Sequence, residues 1–167
     1  VLELEGAACI DESECIEAVA LRVGDVLYGM SGSVGETGSL GNFAVVRDSD
    51  VPCQLNQRVG RFLVREKELL PGFLVYLIQA PYFYDQILLQ ATGTAQFNVS
   101  GGQIESVLIV LPPLDAQRLM VDFLDTRCAE IDALQRKTEQ ALESFYEFRM
   151  AIVTSAVTGK IDVRGVA

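Results

Sequence analysis

The pattern of apolar and polar positions divides the chain into a first part with short, mixed periods and a second part with one long helical period. Val19, Leu21 and Val23, then Val26 and Tyr28, alternate with their neighbours on either side of Gly24-Asp25. A period of two marks a half-buried strand, so Ala18 to Tyr28 is predicted to form two short strands around a turn. Phe43 to Val46 and Val59 to Val64 are further strand-type runs, separated by a polar stretch. Met30 to Asn42 is rich in Gly and Ser and reads as a loop with several positive-φ positions. Pro71-Gly72 opens a helix carrying Phe73, Leu74, Leu77 and Ile78, and Pro81 opens a second with Tyr84, Ile87 and Leu88. Thr92 to Gly102 is polar and Gly-rich. Val107 to Leu111 is wholly apolar, which predicts a buried strand that Pro112-Pro113 stops. Glu3 to Glu17 has no clean period and receives no element.

From Leu114 onward neither Gly nor Pro occurs until Gly159, which suits a C-terminal cap. Asp115 is the expected N-cap, with Leu114 and Leu119 spaced as a hydrophobic staple. At 1.5 Å per residue such a helix runs about 65 Å. In heptad register, Leu124, Ile131, Thr138, Phe145 and Ile152 fall at one seam position, and Arg127, Leu134, Ala141 and Phe148 at the other. The seam is apolar except at Thr138 and Arg127. A small domain cannot cover a stripe of that length, so a second helix is expected beside it.

Composition narrows the chemistry. Half of the 167 residues are apolar, so the chain should fold, and no apolar run is long enough to cross a bilayer. No signal-peptide pattern is present, and the opening Val1 leads us to expect further chain before it. There is no histidine, and Cys9, Cys15, Cys53 and Cys128 include no Cys-x-x-Cys pair. Zinc binding and histidine-assisted nucleophilic catalysis therefore lack their groups. Reduced thiols in a cytoplasmic protein are expected, with a disulfide as the alternative. The net charge is −10; up to Pro113 there are 6 basic and 14 acidic residues. Nucleic-acid modules usually present a basic stripe to phosphates, so this balance argues against strong DNA binding by the chain alone.

Two stretches carry a family resemblance. The first is Gly93-Thr94-Ala95-Gln96-Phe97-Asn98-Val99-Ser100, followed by Ile104, the run Val107 to Pro113, Leu114 and Gln117. The second is Ala156-Val157-Thr158-Gly159-Lys160-Ile161-Asp162-Val163. Together with Gly24-Asp25-Val26-Leu27, these resemble, in order, the later part of a DNA-specificity subunit of type I restriction–modification systems. The resemblance covers roughly Val23 to the end and departs from the family at Ala116, where a Glu usually precedes Gln117. It implies the later part of a second target-recognition domain and a conserved spacer helix; the front of that domain is not recognisable.

The resemblance further implies a non-catalytic subunit that takes part in recognising double-stranded DNA. Modification and restriction subunits would dock on it, and S-adenosylmethionine would be held by the modification partner rather than by this chain. The expected division is a partial target-recognition domain over 1–113, the helix over 114–158 and a tail over 159–167. The expected fold is α+β, a small twisted sheet with short helices and a protruding C-terminal helix that pairs as an antiparallel coiled coil. The helix interface comprises Leu124, Ile131, Leu134, Thr138, Phe145, Phe148 and Ile152, and a homodimer would form through it. The alternative is a dimerisation or methyltransferase-interaction fragment that does not read DNA.

Candidate DNA contacts are polar residues outside the helices. Gln54, Asn56, Gln57, Arg58 and Arg61 offer amides that pair bidentately with adenine and guanidinium groups that pair with guanine or phosphate, or else form a solvated loop. Thr92, Thr94, Gln96 and Asn98 would face DNA or serve as turn formers. The glycine loop lacks the Lys-Ser/Thr of a phosphate loop and reads as a connection, with Ser31 and Ser33 near the DNA by resemblance. Asp48 and Asp50 have no third metal ligand near them and are read as a surface turn.

Overall fold

The computed structural model describes residues 15–35 and 38–161. These fall into two units, one up to Val121 and one from Asp122.

In the first unit, β1 (Val26–Gly29) is flanked antiparallel by β3 (Phe43–Val45) and β4 (Val59–Arg61), so the strand order is β3-β1-β4. Leu27 is paired with Ala44 on one side and Arg61 on the other. The alternation in β1 is expressed as burial on both faces. Val26 and Tyr28 enter the main core with Leu74, Leu77, Ile78, Phe83 and Ile87, while Leu27 joins Leu21 and Val46 in a second cluster. The Tyr28 ring meets Phe62 and Phe83 edge-on at 5.9 and 6.0 Å, an arrangement favoured by the ring quadrupoles. A second ladder pairs β2 (Ser31–Gly32) with β5 (Phe97–Asn98).

Helices α1 (Pro71–Gln79) and α2 (Pro81–Gln90) follow the predicted prolines. Ala80 between them is extended at ψ 131°, as a residue preceding proline must be. The short α3 (Gly101–Glu105) is a surprise in a Gly-rich stretch. Ser100 Oγ accepts from Gln103 N while Gln103 Oε1 accepts from Ser100 N, a reciprocal capping box at the start of the helix.

Three local expectations are corrected. The first half of the Ala18 to Tyr28 hairpin is not a strand of the sheet. It is a 3-10 turn (Glu17–Val19) leading to a bridge between Ala20 and Gln54, although Gly24 does turn the chain at φ 91°. The run Val107 to Leu111 is neither a strand nor buried throughout: Val107 is in the core, but Leu108 is 80% and Val110 76% exposed. No described strand lies beside it; instead the Gln86 amide donates to Leu108 O at 3.1 Å and accepts from Leu108 N at 3.0 Å. A side chain thus occupies the position of the missing ladder partner.

The third correction concerns α4 (Leu114–Val157), which begins two residues earlier than an Asp115 cap requires. Asp115 sits inside the first turn and pairs with Arg118 at 2.9 Å, and Leu119 is exposed rather than stapled. At the other end the prediction holds. Gly159 adopts φ 73°, its N–H donates to Ala156 O, and Lys160 N donates to Ser155 O. These are the two bonds of a Schellman cap.

The root of α4 lies in the first unit and is held by a buried amide. Gln117 is fully buried; its Oε1 accepts from Leu70 N at 2.9 Å and its Nε2 donates to Glu68 O and Pro112 O, both at 2.8 Å. Leu70 is the N-cap of α1, so the amide also satisfies a donor at that helix terminus.

Candidate nucleic-acid interface

Pairing between distant segments brings three of the sequence candidates to one place. Met30 N donates to Arg58 O at 2.9 Å, which sets the turn before β4 beside the start of β2. Ser31 in β2 is opposite Asn98 in β5, and Thr92 and Asn98 exchange backbone bonds of 3.0 and 2.8 Å. The result is an open groove of about 400 Å³ lined by Ser31, Ser39, Asn42, Arg58 and Gln96 over a floor of β1 backbone, Tyr28 and Phe43. Burial, then the neighbouring Tyr84, pushes the Tyr28 phenol up to about 12, so the floor is uncharged at neutral pH.

The charge of this groove differs from that of the chain. Its described lining contains one cation, Arg58, and no carboxylate, whereas the whole sequence carries a net charge of −10.

The other sequence candidates lie elsewhere. Asn56 Oδ1 accepts from Arg58 N at 3.0 Å, so that side chain shapes the turn, while Gln57 is exposed at its tip. Gln54 bridges to Ala20. Ser33 and Thr94 are exposed outside the groove lining, and Asn98 is exposed on β5. Arg61 braces the fold: its guanidinium donates to Ala20 O at 2.9 Å and to Asp25 Oδ2 at 3.2 Å, with both side chains about one-fifth exposed. Nearby, burial and then Asp50 and Asp25 push the Cys53 thiol up. Asp50 is itself buried and accepts from Arg47 N at 2.8 Å, a turn-closing role. Asn42 and Ser39, which line the groove, were not singled out by sequence; they ended a loop that was read for its glycines.

The second unit is a helix with an open apolar stripe. Leu124 is half-buried, whereas Ile131, Leu134, Phe145, Phe148 and Ile152 are exposed, Phe145 at 69%. Thr138 Oγ1 donates to Leu134 O at 2.9 Å, so the polar seam position is satisfied within its own helix. Arg127 pairs with Glu130 at 2.9 Å and lies over the Phe123 ring at 5.5 Å.

These features define an α+β protein with an open polar groove and one long helix bearing an apolar stripe. Residues 8–144 match the family of the type I restriction modification DNA specificity domain, and the chain belongs to that family. It is 28% identical over 156 residues to the specificity subunit of the type I restriction enzyme EcoBI of Escherichia coli, an alignment spanning 84% of this chain and 32% of that protein. Over 146 residues it is 27% identical to the MjaVIII specificity subunit of Methanocaldococcus jannaschii, across 87% of this chain and 33% of the relative. The chain thus spans about a third of the length of these relatives. The fold is similar to the crystal structure of the HsdS subunit from Thermoanaerobacter tengcongensis, with a TM-score of 0.59 and 18% identity over 92% of this chain and 38% of that one. Among the described residues, no helix is long and apolar enough to cross a membrane.

Proposed function

We propose that this chain acts in DNA sequence recognition within a cytoplasmic type I restriction–modification complex, contacting one part of a double-stranded target through the groove between Arg58, Ser31 and Gln96. The single observation that carries this reading is a groove whose described lining holds no carboxylate, in an acidic chain of the specificity family. Arg58 supplies charge toward phosphate or a guanine edge, and the amide of Gln96 supplies a donor and an acceptor in one plane. Gln57, Ser33, Thr94 and Asn98 are peripheral contacts in this reading, and Arg61, Asn56 and Gln54 support the scaffold. Residues 1–113 form the recognition part, 114–158 the helix on which modification and restriction subunits dock, and 159–167 a tail. The chain performs no chemistry of its own, and S-adenosylmethionine belongs to the modification partner.

A second reading is favoured by the stripe on α4: a fragment that pairs with a second copy and engages the methyltransferase without reading DNA. Titration of duplex DNA at several salt concentrations separates the two. The first reading expects binding that weakens with salt, with a slope that falls by about one unit when Arg58 is changed to Ala. Absence of DNA binding, both by the full chain and by the chain assembled with a type I modification subunit, would leave the second.

A further inference from the structure

The groove contains a further side chain suited to reading bases. Asn42 lines it together with Arg58 and Gln96. Its backbone is fixed on both sides: Asn42 O accepts from Gly29 N at 2.6 Å, and Asn42 N donates to Ser39 O at 3.3 Å. The preceding Gly41 holds φ 84°, and a Cβ there would meet the Tyr84 ring at 2.6 Å, so the chain enters Asn42 along one defined path. The residue that follows is Phe43, opposite Tyr28 in the central sheet. The backbone of Asn42 is thus held by hydrogen bonds on both sides at the entrance to β3. Yet the side chain is exposed, and among the described residues its amide has no hydrogen-bond partner.

A carboxamide on a hydrogen-bonded backbone, unspent among the described residues and lining the same groove as a guanidinium, presents a donor and an acceptor side by side. That pair matches the N6 donor and N7 acceptor that adenine offers in the major groove. We infer that Asn42 is a specificity-determining residue that reads an adenine edge, while Arg58 anchors the same segment of duplex. This rests on the proposed DNA-reading role and adds to it a named residue and base.

The test selects bound sequences from a pool of random duplexes, using the full chain alone and together with a type I modification subunit. The unsubstituted chain should enrich sequences holding adenine at one defined position. Asn42→Ala should lower the preference at that position roughly tenfold while leaving the salt slope unchanged. Asn42→Asp, which keeps an acceptor and loses the donor, should move the preference toward cytosine, whose N4 group donates. Equal thermal melting of the three proteins establishes that the fold is retained. An unchanged preference in folded Asn42→Ala, or a loss spread evenly over all sequences with a shallower salt slope, overturns the inference while the DNA-reading role stands. No enrichment by the unsubstituted chain in either setting overturns that role and the inference with it.

Discussion

The two units of this chain handle apolar residues in opposite ways. Within β1 each apolar side chain finds cover in the first unit: Val26 and Tyr28 on one face, Leu27 on the other. Along α4 the large apolar residues recur just as regularly, yet Ile131, Phe145 and Phe148 each leave about two-thirds of their surface exposed. The same driving force, about 25 cal/mol for each Å² of apolar surface removed from water, is satisfied at β1 and left unsatisfied along the stripe of α4. The difference teaches that the central strand of the first unit is covered by its own fold, whereas the stripe on α4 is left open among the described residues. We propose that a second copy running antiparallel covers it, since a twofold axis makes one stripe complementary to itself. In that register Thr138 lies near the middle of the seam, where its hydroxyl is already satisfied.

The largest expected effect tests the second unit. Replacing both Ile131 and Phe145 by Asp removes two large apolar side chains from each copy, at about 1.5–3 kcal/mol apiece. The loss is on the order of 6–12 kcal/mol per pair, so sedimentation should show a monomer at tens of micromolar with helix content retained. If the unsubstituted chain is itself a monomer under those conditions, the stripe serves a different partner.

A smaller effect confined to the first unit sharpens the contrast. Ile87 is fully buried in the main core, and Ile87→Ala should cost about 2–5 kcal/mol through lost transfer energy and a cavity. Thermal melting of that variant should fall markedly while its sedimentation matches the unsubstituted chain. A change in self-association would show that the two units are not independent.

Smaller again is the effect expected at the helix root. Gln117→Leu leaves the Leu70 N–H and two carbonyls without their partner; an unsatisfied buried donor costs about 1–3 kcal/mol. Hydrogen exchange at Leu70 should accelerate, whereas exchange midway along α4 should not. Unaltered protection at Leu70 would indicate that water enters and replaces the amide.

Much of this architecture is legible from local pattern. The long helix and its Gly159 cap follow from forty-four residues free of Gly and Pro and from one position that needs positive φ. The strands at Phe43 and Val59 and the two proline-led helices follow equally from period and punctuation. What fails is any inference in which apolarity stands in for a neighbour. Val107 to Leu111 was expected to be buried because it is continuous and apolar, but burial needs an adjacent strand, and only the Gln86 side chain fills that role. The short α3 carried a readable Ser-x-x-Gln box that two glycines obscured. For the groove, the chemistry of Ser31, Arg58 and Gln96 is visible in sequence, but their meeting depends on the Met30–Arg58 bond and the Ser31–Asn98 register. Arg58 and Arg61 look alike in sequence; only the Asp25 carboxylate and the Ala20 carbonyl beside Arg61 distinguish brace from free charge.

The buried amide of Gln117 also bears on where this chain could be cut and joined to another. It joins the Glu68–Leu70 loop, Pro112 and the first turns of α4 into one junction, and Val121 packs against the Gly72 position at the start of α1. The boundary that composition suggests, at the paired prolines 112 and 113, cuts through this junction. A chimera spliced there would set the amide against a foreign loop, whereas a splice beyond Val121 carries lock and key together. A chimera joining the first unit to another helix should therefore favour the later breakpoint, and the transferred segment should include the first two turns of α4.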